Sequence, residues 1–421
     1  MARRALVLLA AGKGERLRPI TETRPKPLVP ILGESLLCRH VRLASRHYNP
    51  DDVIVVASYM IDAVREHLES RCRYGVKLRI IEQGGERGTG HAILRAMEEA
   101  EADDYFIVYS DLYASPGIYE SIASAPPPAI LAVEVDNPSE YGVLEVAGGT
   151  LKRIHEKPHG SRPPSNLIFA GMIRLSGEHE PFFASIKPSP RGELEATDAL
   201  NEIALVQDVL VVKPPRGEKW LDVGRPWNLL DANRYALEEA SSRIRGEVHP
   251  TAVIEEDGGP VIVEEGALIG PHTVIEGPAY IGPGARVGPH AYIRPYTVIL
   301  EGGKAGHSTE IKASILMEHA KAPHLSYIGD SIIGEHVNLG AGTITANLRF
   351  DHKTIKMTVK GRRIDTGRTK LGAVIGGHAQ TGINVSILPG VKIGSYALIY
   401  PGCTVARDVE RGGVYRCGTP R

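Results

Sequence analysis

From residue 263 onward an aliphatic side chain returns at every sixth position: Val263, Ile269, Ile275, Ile281, Val287, Ile293 and Ile299. A second array runs Ile375, Thr381, Ile387, Ile393, Ile399 and Val405, with one polar member. An ordinary loop region does not hold such a register through seven repeats. The spacing predicts a parallel β-helix, in which three short faces complete each coil and an inward aliphatic marks every face. Turn formers follow many of these positions, as in Ile269-Gly270-Pro271 and Ile281-Gly282-Pro283. Coil corners need special backbone angles, which explains 46 glycines and 30 prolines in 421 residues, above the roughly 12% of average proteins. The arrays break at about 300–323 and 347–371, and the second break, rich in Lys and Arg, reads as an excursion outside the coil.

The first half follows another rule. Short aliphatic runs at 5–10, 53–57, 78–81, 105–109 and 130–135 read as buried strands, and segments such as 36–48 and 63–70 carry apolar residues at helical spacing. That alternation predicts a Rossmann-like three-layer α/β domain with a mostly parallel sheet, whose ligands collect at the carboxyl ends of strands. Residues 227–244 read as a linking helix that ends near Gly246. The expected organisation is an α/β domain over 1–226, a linker over 227–246 and a β-helix over 247–421.

Composition excludes several classes of function. The 49 Lys and Arg nearly cancel the 50 Asp and Glu, leaving −1, so no global basic field favours nucleic acid. No run approaches the ~18 apolar residues of a membrane span, and the first residues enter a strand directly rather than a signal sequence. The expectation is a cytoplasmic protein with no membrane partner. The four cysteines, Cys38, Cys72, Cys403 and Cys417, contain no CxxC pair, which argues against a zinc ribbon or a disulfide framework.

The loop after the first strand reads Leu9-Ala10-Ala11-Gly12-Lys13-Gly14-Glu15-Arg16-Leu17-Arg18-Pro19, followed by Arg24-Pro25-Lys26-Pro27. Glycines let backbone amides approach an anion, and Lys13, Arg16, Arg18 and Lys26 crowd cations into the same stretch, as a polyphosphate requires. A dinucleotide fingerprint would need a glycine where Leu17 stands, and a P-loop would need GK[ST], which is absent. The motif GxGxRLxPxT…PKP resembles that of the sugar-1-phosphate nucleotidylyltransferases, with Glu15 where threonine is common. The resemblance covers most of 5–235. It implies nucleotide contacts from Ala10, Ala11, Gly12, Gly14, Gln83, Gly88 and Thr89, and sugar-phosphate contacts from Gly142, Glu156 and Lys157. It also implies a catalytic role for Arg16 and Lys26 on the triphosphate, and Mg²⁺ held by Asp111 and Asp222. Phe169 stands where the bacterial bifunctional members commonly carry asparagine. Two polyanions must react, so cations and a metal ion have to offset their repulsion.

In the second half, Lys321-Ala322-Pro323-His324-Leu325-Ser326-Tyr327-Ile328-Gly329-Asp330 and Asn338-Leu339-Gly340-Ala341-Gly342-Thr343 through Asn347 resemble the acetyltransferase half of the bifunctional N-acetylglucosamine-1-phosphate uridylyltransferase/glucosamine-1-phosphate N-acetyltransferases. That family implies a left-handed β-helix of hexapeptide repeats, with His324 as general base. An amino sugar is largely an ammonium ion near neutral pH, and a histidine with an ordinary pKa of ~6.5 can take the proton its amine must lose. Arg294 and Lys312 match the family's phosphate-binding cations, and Tyr327, Asn338 and Asn347 its sugar and acetyl contacts. Lys353 and Lys356 lie in the basic excursion and are candidates for coenzyme phosphates or substrate. Gly377 stands where many bacterial members carry a serine near the coenzyme.

The resulting expectation is acetyl-CoA-dependent acetylation of glucosamine-1-phosphate, followed by Mg²⁺-dependent transfer from UTP or dTTP to the product with release of pyrophosphate, in a homotrimer. One alternative keeps only the first unit's reaction, as a glucose-1-phosphate thymidylyl- or uridylyltransferase whose coil merely trimerises. A remote alternative places a γ-carbonic-anhydrase-like zinc in the coil, held by His319, His324 and either His290 or His307.

Overall fold

The computed structural model describes residues 2–72, 74–85, 87–158 and 163–417. It forms two compact units: one of Met1–Lys13, Pro25–Val29 and Ser35–Asp222, the other of Gly14–Arg24, Pro30–Glu34 and Val223–Arg421. Two short pieces from the first 34 residues thus belong with the coil, which no cut at a single chain position would give.

In the first unit the strands Lys77–Glu82, Asp52–Ala57, Arg4–Ala10 and Asp104–Tyr109 lie side by side in parallel. Side chains alternate across a sheet. Leu6, Leu8 and Ala10 therefore join one core with Leu37, Val41 and Ile118, while Ala5 and Val7 join another with Ile93, Met97 and Ile203. Helices thus cover both faces, giving three layers. The helix Leu36–Tyr48 starts where Ser35 Oγ accepts the Cys38 N–H at 3.2 Å and stops at Asn49, whose φ is 50°; such an N-cap contributes about 1 kcal/mol.

Beyond Tyr109 the expected parallel pattern fails. Leu167–Ser176 runs antiparallel to both neighbours, and the hairpin Gly142–Ala147 with Thr150–Glu156 closes the far edge of a mixed nine-stranded sheet. Gly148 and Gly149, at φ 63° and 83°, supply the two-residue turn that forces those strands to reverse.

The cysteines also correct the sequence reading. Cys38 bonds to Cys72 and Cys403 to Cys417. In the first pair a residue in one helix meets the residue that ends another, with Cα atoms 5.1 Å apart. Local CxxC spacing carries no information about such a pairing.

The second unit is a left-handed parallel β-helix with three faces, two of them sheets of eight strands. Every member of both six-residue arrays is buried in its core. Ile275 pairs with Ile293 and Ile293 with Ile311, eighteen residues per coil. The coil continues straight through 300–323, where a break was expected: Ile299 pairs with Leu316 and Ala305 with Ala322. The inward residues there include Ile311, Leu316, Ile328 and Ile333. Two sides of five residues shorten these coils to seventeen, so a strict count of six loses the register.

The second break is a true excursion. Ile333 pairs with Ile375, and between them Lys356–Val359 and Arg362–Asp365 form an antiparallel hairpin. Two polar members of the core are satisfied: Thr381 Oγ1 takes the Gly340 N–H at 2.9 Å, and Thr345 Oγ1 takes that of Gly329 at 3.0 Å. The helix of the connecting segment spans Pro226–Glu238, shorter than expected, and Arg243–Ile244 already pairs with Ile262 and Val263 as the first strand of the coil.

Candidate functional site

In the α/β unit, three residues chosen from distant stretches converge. The strands Leu112–Ala114 and Trp220–Asp222 pair antiparallel, with Asp222 opposite Leu112, so Asp222 adjoins Asp111. Lys26 Nζ lies 2.6 Å from Asp111 Oδ2 and 3.4 Å from Asp222 Oδ1. One buried ammonium faces two carboxylates, whose oxygens are hard donors of the type a divalent magnesium ion prefers. Ala10 is buried at the end of its strand, and a Cβ built on Gly12 would meet nothing within 4 Å, which leaves open space beside the chain there.

Gln83 and Thr89 support the next loop. Gln83 Nε2 donates to the Gly88 carbonyl at 2.8 Å, and Thr89 Oγ1 accepts the Ala196 N–H at 3.1 Å. Gly88 has φ 90°, and a Cβ on it would lie 2.5 Å from the Leu194 carbonyl, so only glycine fits. Gly142 similarly admits Glu156, whose Oε2 would stand 3.2 Å from a Cβ there. Glu156 Oε1 takes Arg191 at 3.0 Å and lies 3.6 Å from Lys157 Nζ.

Arg191 also holds Glu195 at 2.7 Å. The sequence reading missed both residues. Burial raises the carboxyls of Glu195 and Asp198, and neighbouring Glu156 adds to both effects. A charged Pro- and Gly-containing loop at 187–193 was the available signal. Phe169 is buried edge-on to Tyr109 at 5.7 Å, an apolar plug at that position. Gly14 and Arg16 belong to the coil's unit rather than to this one, so the structure does not gather Arg16 and Lys26 within one compact body.

On the coil, repetition places the groups. Ile293 and Ile311 are paired, so Arg294 and Lys312, each one residue further on, stand on successive coils. Arg294 Nη1 binds Glu310 at 2.9 Å, and Lys312 Nζ binds Asp330 at 3.2 Å. Asn347 Nδ2 donates to Asp330 Oδ2 at 2.5 Å and to the Tyr327 hydroxyl at 3.2 Å. A Cβ on Gly329 would lie 2.6 Å from Asn347 Nδ2 and 2.7 Å from the Tyr327 oxygen, so glycine permits this meeting.

Burial raises the Tyr327 phenol above its ordinary range, which keeps its proton in place. Asp330, which the sequence reading quoted without a role, is the acceptor that joins Lys312 to Asn347. His324 is exposed at the end of Lys321–His324, three residues before Tyr327. Asn338 is not brought to this cluster: it bridges Lys321 and Gln380 on a different face. Lys353 and Lys356 are exposed in the excursion.

Within one chain the histidines of the zinc alternative form no three-ligand group among the described residues. His319 stacks on His336 at 5.0 Å and His290 on His272 at 4.9 Å. Among the described residues, the group of three potential ligands within 4.8 Å is Cys38, His67 and Cys72, and its two sulfurs are bonded to each other. No helix among the described residues is long and apolar enough to cross a membrane.

Residues 5–239 match the nucleotidyl transferase family, 275–369 the GMPPB C-terminal domain, and 372–407 six bacterial transferase hexapeptide repeats. A protein of Sulfurisphaera tokodaii named bifunctional sugar-1-phosphate nucleotidylyltransferase/acetyltransferase is 46% identical over 97% of this chain and 99% of its own. The chain belongs to this bifunctional family. The bifunctional protein GlmU of Methanocaldococcus jannaschii is 41% identical over 96% of this chain and 95% of its own. A solved UDP-glucose pyrophosphorylase complexed with UDP-glucose superposes with a TM-score of 0.51 at 22% identity, covering 57% of this chain and 100% of that one. That likeness speaks to fold alone. One of the two clusters lies in each unit.

Proposed function

We propose that the coil acetylates glucosamine-1-phosphate from acetyl-CoA, and that the α/β unit joins the product to UMP from UTP, or to dTMP from dTTP, releasing pyrophosphate. The observation that carries this reading is the coexistence in one chain of the Lys26–Asp111–Asp222 cluster and the Lys312–Asp330–Asn347–Tyr327 cluster, with His324 three residues before Tyr327 in the chain.

In the first unit, the sugar phosphate arrives ionised, so its oxygen attacks the α-phosphorus without a general base. Lys26 and Arg16 offset the charge of the triphosphate, and Lys157 that of the sugar phosphate. The backbone at Ala10, Ala11, Gly12 and Gly14, with Gln83, Gly88 and Thr89, holds the nucleotide, and Gly142 and Glu156 hold the sugar. Asp111 and Asp222 would hold Mg²⁺, which when bound neutralises charge on the phosphates.

In the coil, His324 takes the proton from the attacking amine. Arg294 and Lys312 hold the phosphate, Tyr327, Asn338 and Asn347 the sugar and the acetyl group, and Lys353 and Lys356 coenzyme phosphates. Because Asn338 and Tyr327 stand on different faces of one coil, we place this site between neighbouring coils of a homotrimer. Leu325, Phe350 and Ile383 are exposed apolar side chains of this unit that such an association could cover. The domain partition 1–226, 227–246 and 247–421 and a cytoplasmic address complete the proposal; both co-substrates are cytoplasmic metabolites.

A matrix assay tests it. Four sugar-1-phosphates are paired with UTP and dTTP, with and without acetyl-CoA, while pyrophosphate and free thiol are followed. Thiol release with glucosamine-1-phosphate that disappears in His324→Ala supports the reading. No thiol release by the unaltered protein leaves a nucleotidylyltransferase whose coil serves assembly alone.

A further inference from the structure

The stretch Gly14–Arg24 carries Arg16 and Arg18 of the nucleotide motif, yet its anchors lie in the coil's own unit. One corner of the β-helix builds the docking column. His336 N–H binds the Glu318 carbonyl, His378 N–H that of Glu335, and Tyr396 N–H that of Gly377. Glu318, Glu335, Gly377 and Ser395 therefore stack on four successive coils.

Arg24 reaches the first two: its Nη2 lies 2.7 Å from Glu318 and 3.1 Å from Glu335, and its side chain is only 15% exposed. At the third step a Cβ on Gly377 would stand 2.4 Å from Glu335 Oε1, so glycine leaves room for that carboxylate. At the fourth, the Ser395 N–H donates to Glu22 Oε2 at 2.7 Å, and its hydroxyl donates to the Pro19 carbonyl at 3.4 Å. Lys392 Nζ adds a bond to the Arg18 carbonyl at 3.1 Å.

A planar guanidinium between two carboxylates fixes direction as well as charge. Burial opposes the charged form of Glu318, and Arg24 more than offsets it, holding that carboxyl below its ordinary range.

We propose that Arg24 is a positioning residue for nucleotidylyl transfer: clamped by Glu318 and Glu335, it sets the course of Gly14–Arg24, the stretch that carries Arg16 and Arg18. This rests on the reading of that stretch as the nucleotide segment. A displacement of about 1 Å in a positioned group costs on the order of 10²-fold in rate.

The test uses full-length Arg24→Met, Arg24→Lys and Glu335→Gln. In each preparation, pyrophosphate release and thiol release from acetyl-CoA are measured together, with hydrogen exchange of the amides of 14–24. The expected result is a loss of about 10²-fold in kcat/KM for the nucleoside triphosphate in Arg24→Met, with KM raised and partial recovery in Arg24→Lys. Exchange at 14–24 is faster, and thiol release stays within about twofold.

Unchanged pyrophosphate release, or both activities falling together, overturns the proposal. Should Arg24→Met fail to fold, the milder Glu335→Gln decides by the same selective pattern. An unaltered protein that releases no pyrophosphate would instead defeat the assignment of the reaction itself.

Discussion

The two clusters reach similar chemistry by opposite means. Lys26, Asp111 and Asp222 come from three stretches of chain roughly a hundred residues apart, brought together by a sheet and the loops at its strand ends. Arg294, Lys312, Asp330 and Asn347 are set by the coil, one to three turns from each other. Charge differs as well. In the first cluster one cation, Lys26, is shared by two carboxylates. In the second, each cation has its own carboxylate, so a phosphate must compete for Arg294 and Lys312. Convergent loops gather carboxylates around one shared ammonium, and a repeated corner sets ion pairs one above the next.

The sharpest way to break this comparison is His324→Ala, for which thiol release should fall by ~10²–10⁴ while pyrophosphate release from N-acetylglucosamine-1-phosphate is retained. Parallel loss of both would mean that the two clusters are not independent. Next in size is Lys26→Met, which should reduce kcat of nucleotidylyl transfer by about 10²–10³ and spare acetyl transfer. Chelation with excess EDTA should abolish pyrophosphate release and leave thiol release intact; sensitivity of both would place a metal in the coil.

Smaller again is Lys312→Met. Removing a charge-assisted bond worth about 1.5–3 kcal/mol should raise KM for glucosamine-1-phosphate roughly 10- to 100-fold, without a comparable fall in kcat. An unchanged KM would remove Lys312 from phosphate binding.

The smallest expected effect concerns pH. Glu318 titrates below its ordinary 4.5 in the fold. Its contribution to stability is therefore complete above the unfolded value and is lost as pH falls through the folded one. Thermal melts should show Glu318→Gln less stable than the unaltered protein at neutral pH, with the gap narrowing below about pH 4.5. A gap independent of pH would deny the ion pair its role.

How much of this could be read from residues alone follows the same division. The β-helix was legible because each inward residue faces the same axis, so one count of six recovers seven buried positions. The count failed where two sides shrink to five, although the physics of burial is unchanged at Leu316 and Ile333. The parallel strands at 5–10 and 53–57 announced themselves by apolar runs, whereas the antiparallel Leu167–Ser176 is equally apolar and gives no sign of its direction. The cysteine pairs, Arg191 with Glu156, and Arg24 with Glu318 were invisible for one reason. Each joins residues whose separation in sequence has no periodicity, so only the folded chain brings them together. Asp330 shows the same limit at short range, since its partners Lys312 and Asn347 lie one coil away on either side.

The hairpin between Ile333 and Ile375 has a consequence for how such a protein can change. A solenoid's coils bind only their neighbours, and here the ladder closes over the inserted stretch with Ile333 still opposite Ile375. New chain at that point costs the framework little, because loop-closure entropy grows slowly with length. The insertion leaves the coil directly after Asn347, so 348–371 can be lengthened or recast while the stack of coils beneath stays as it is.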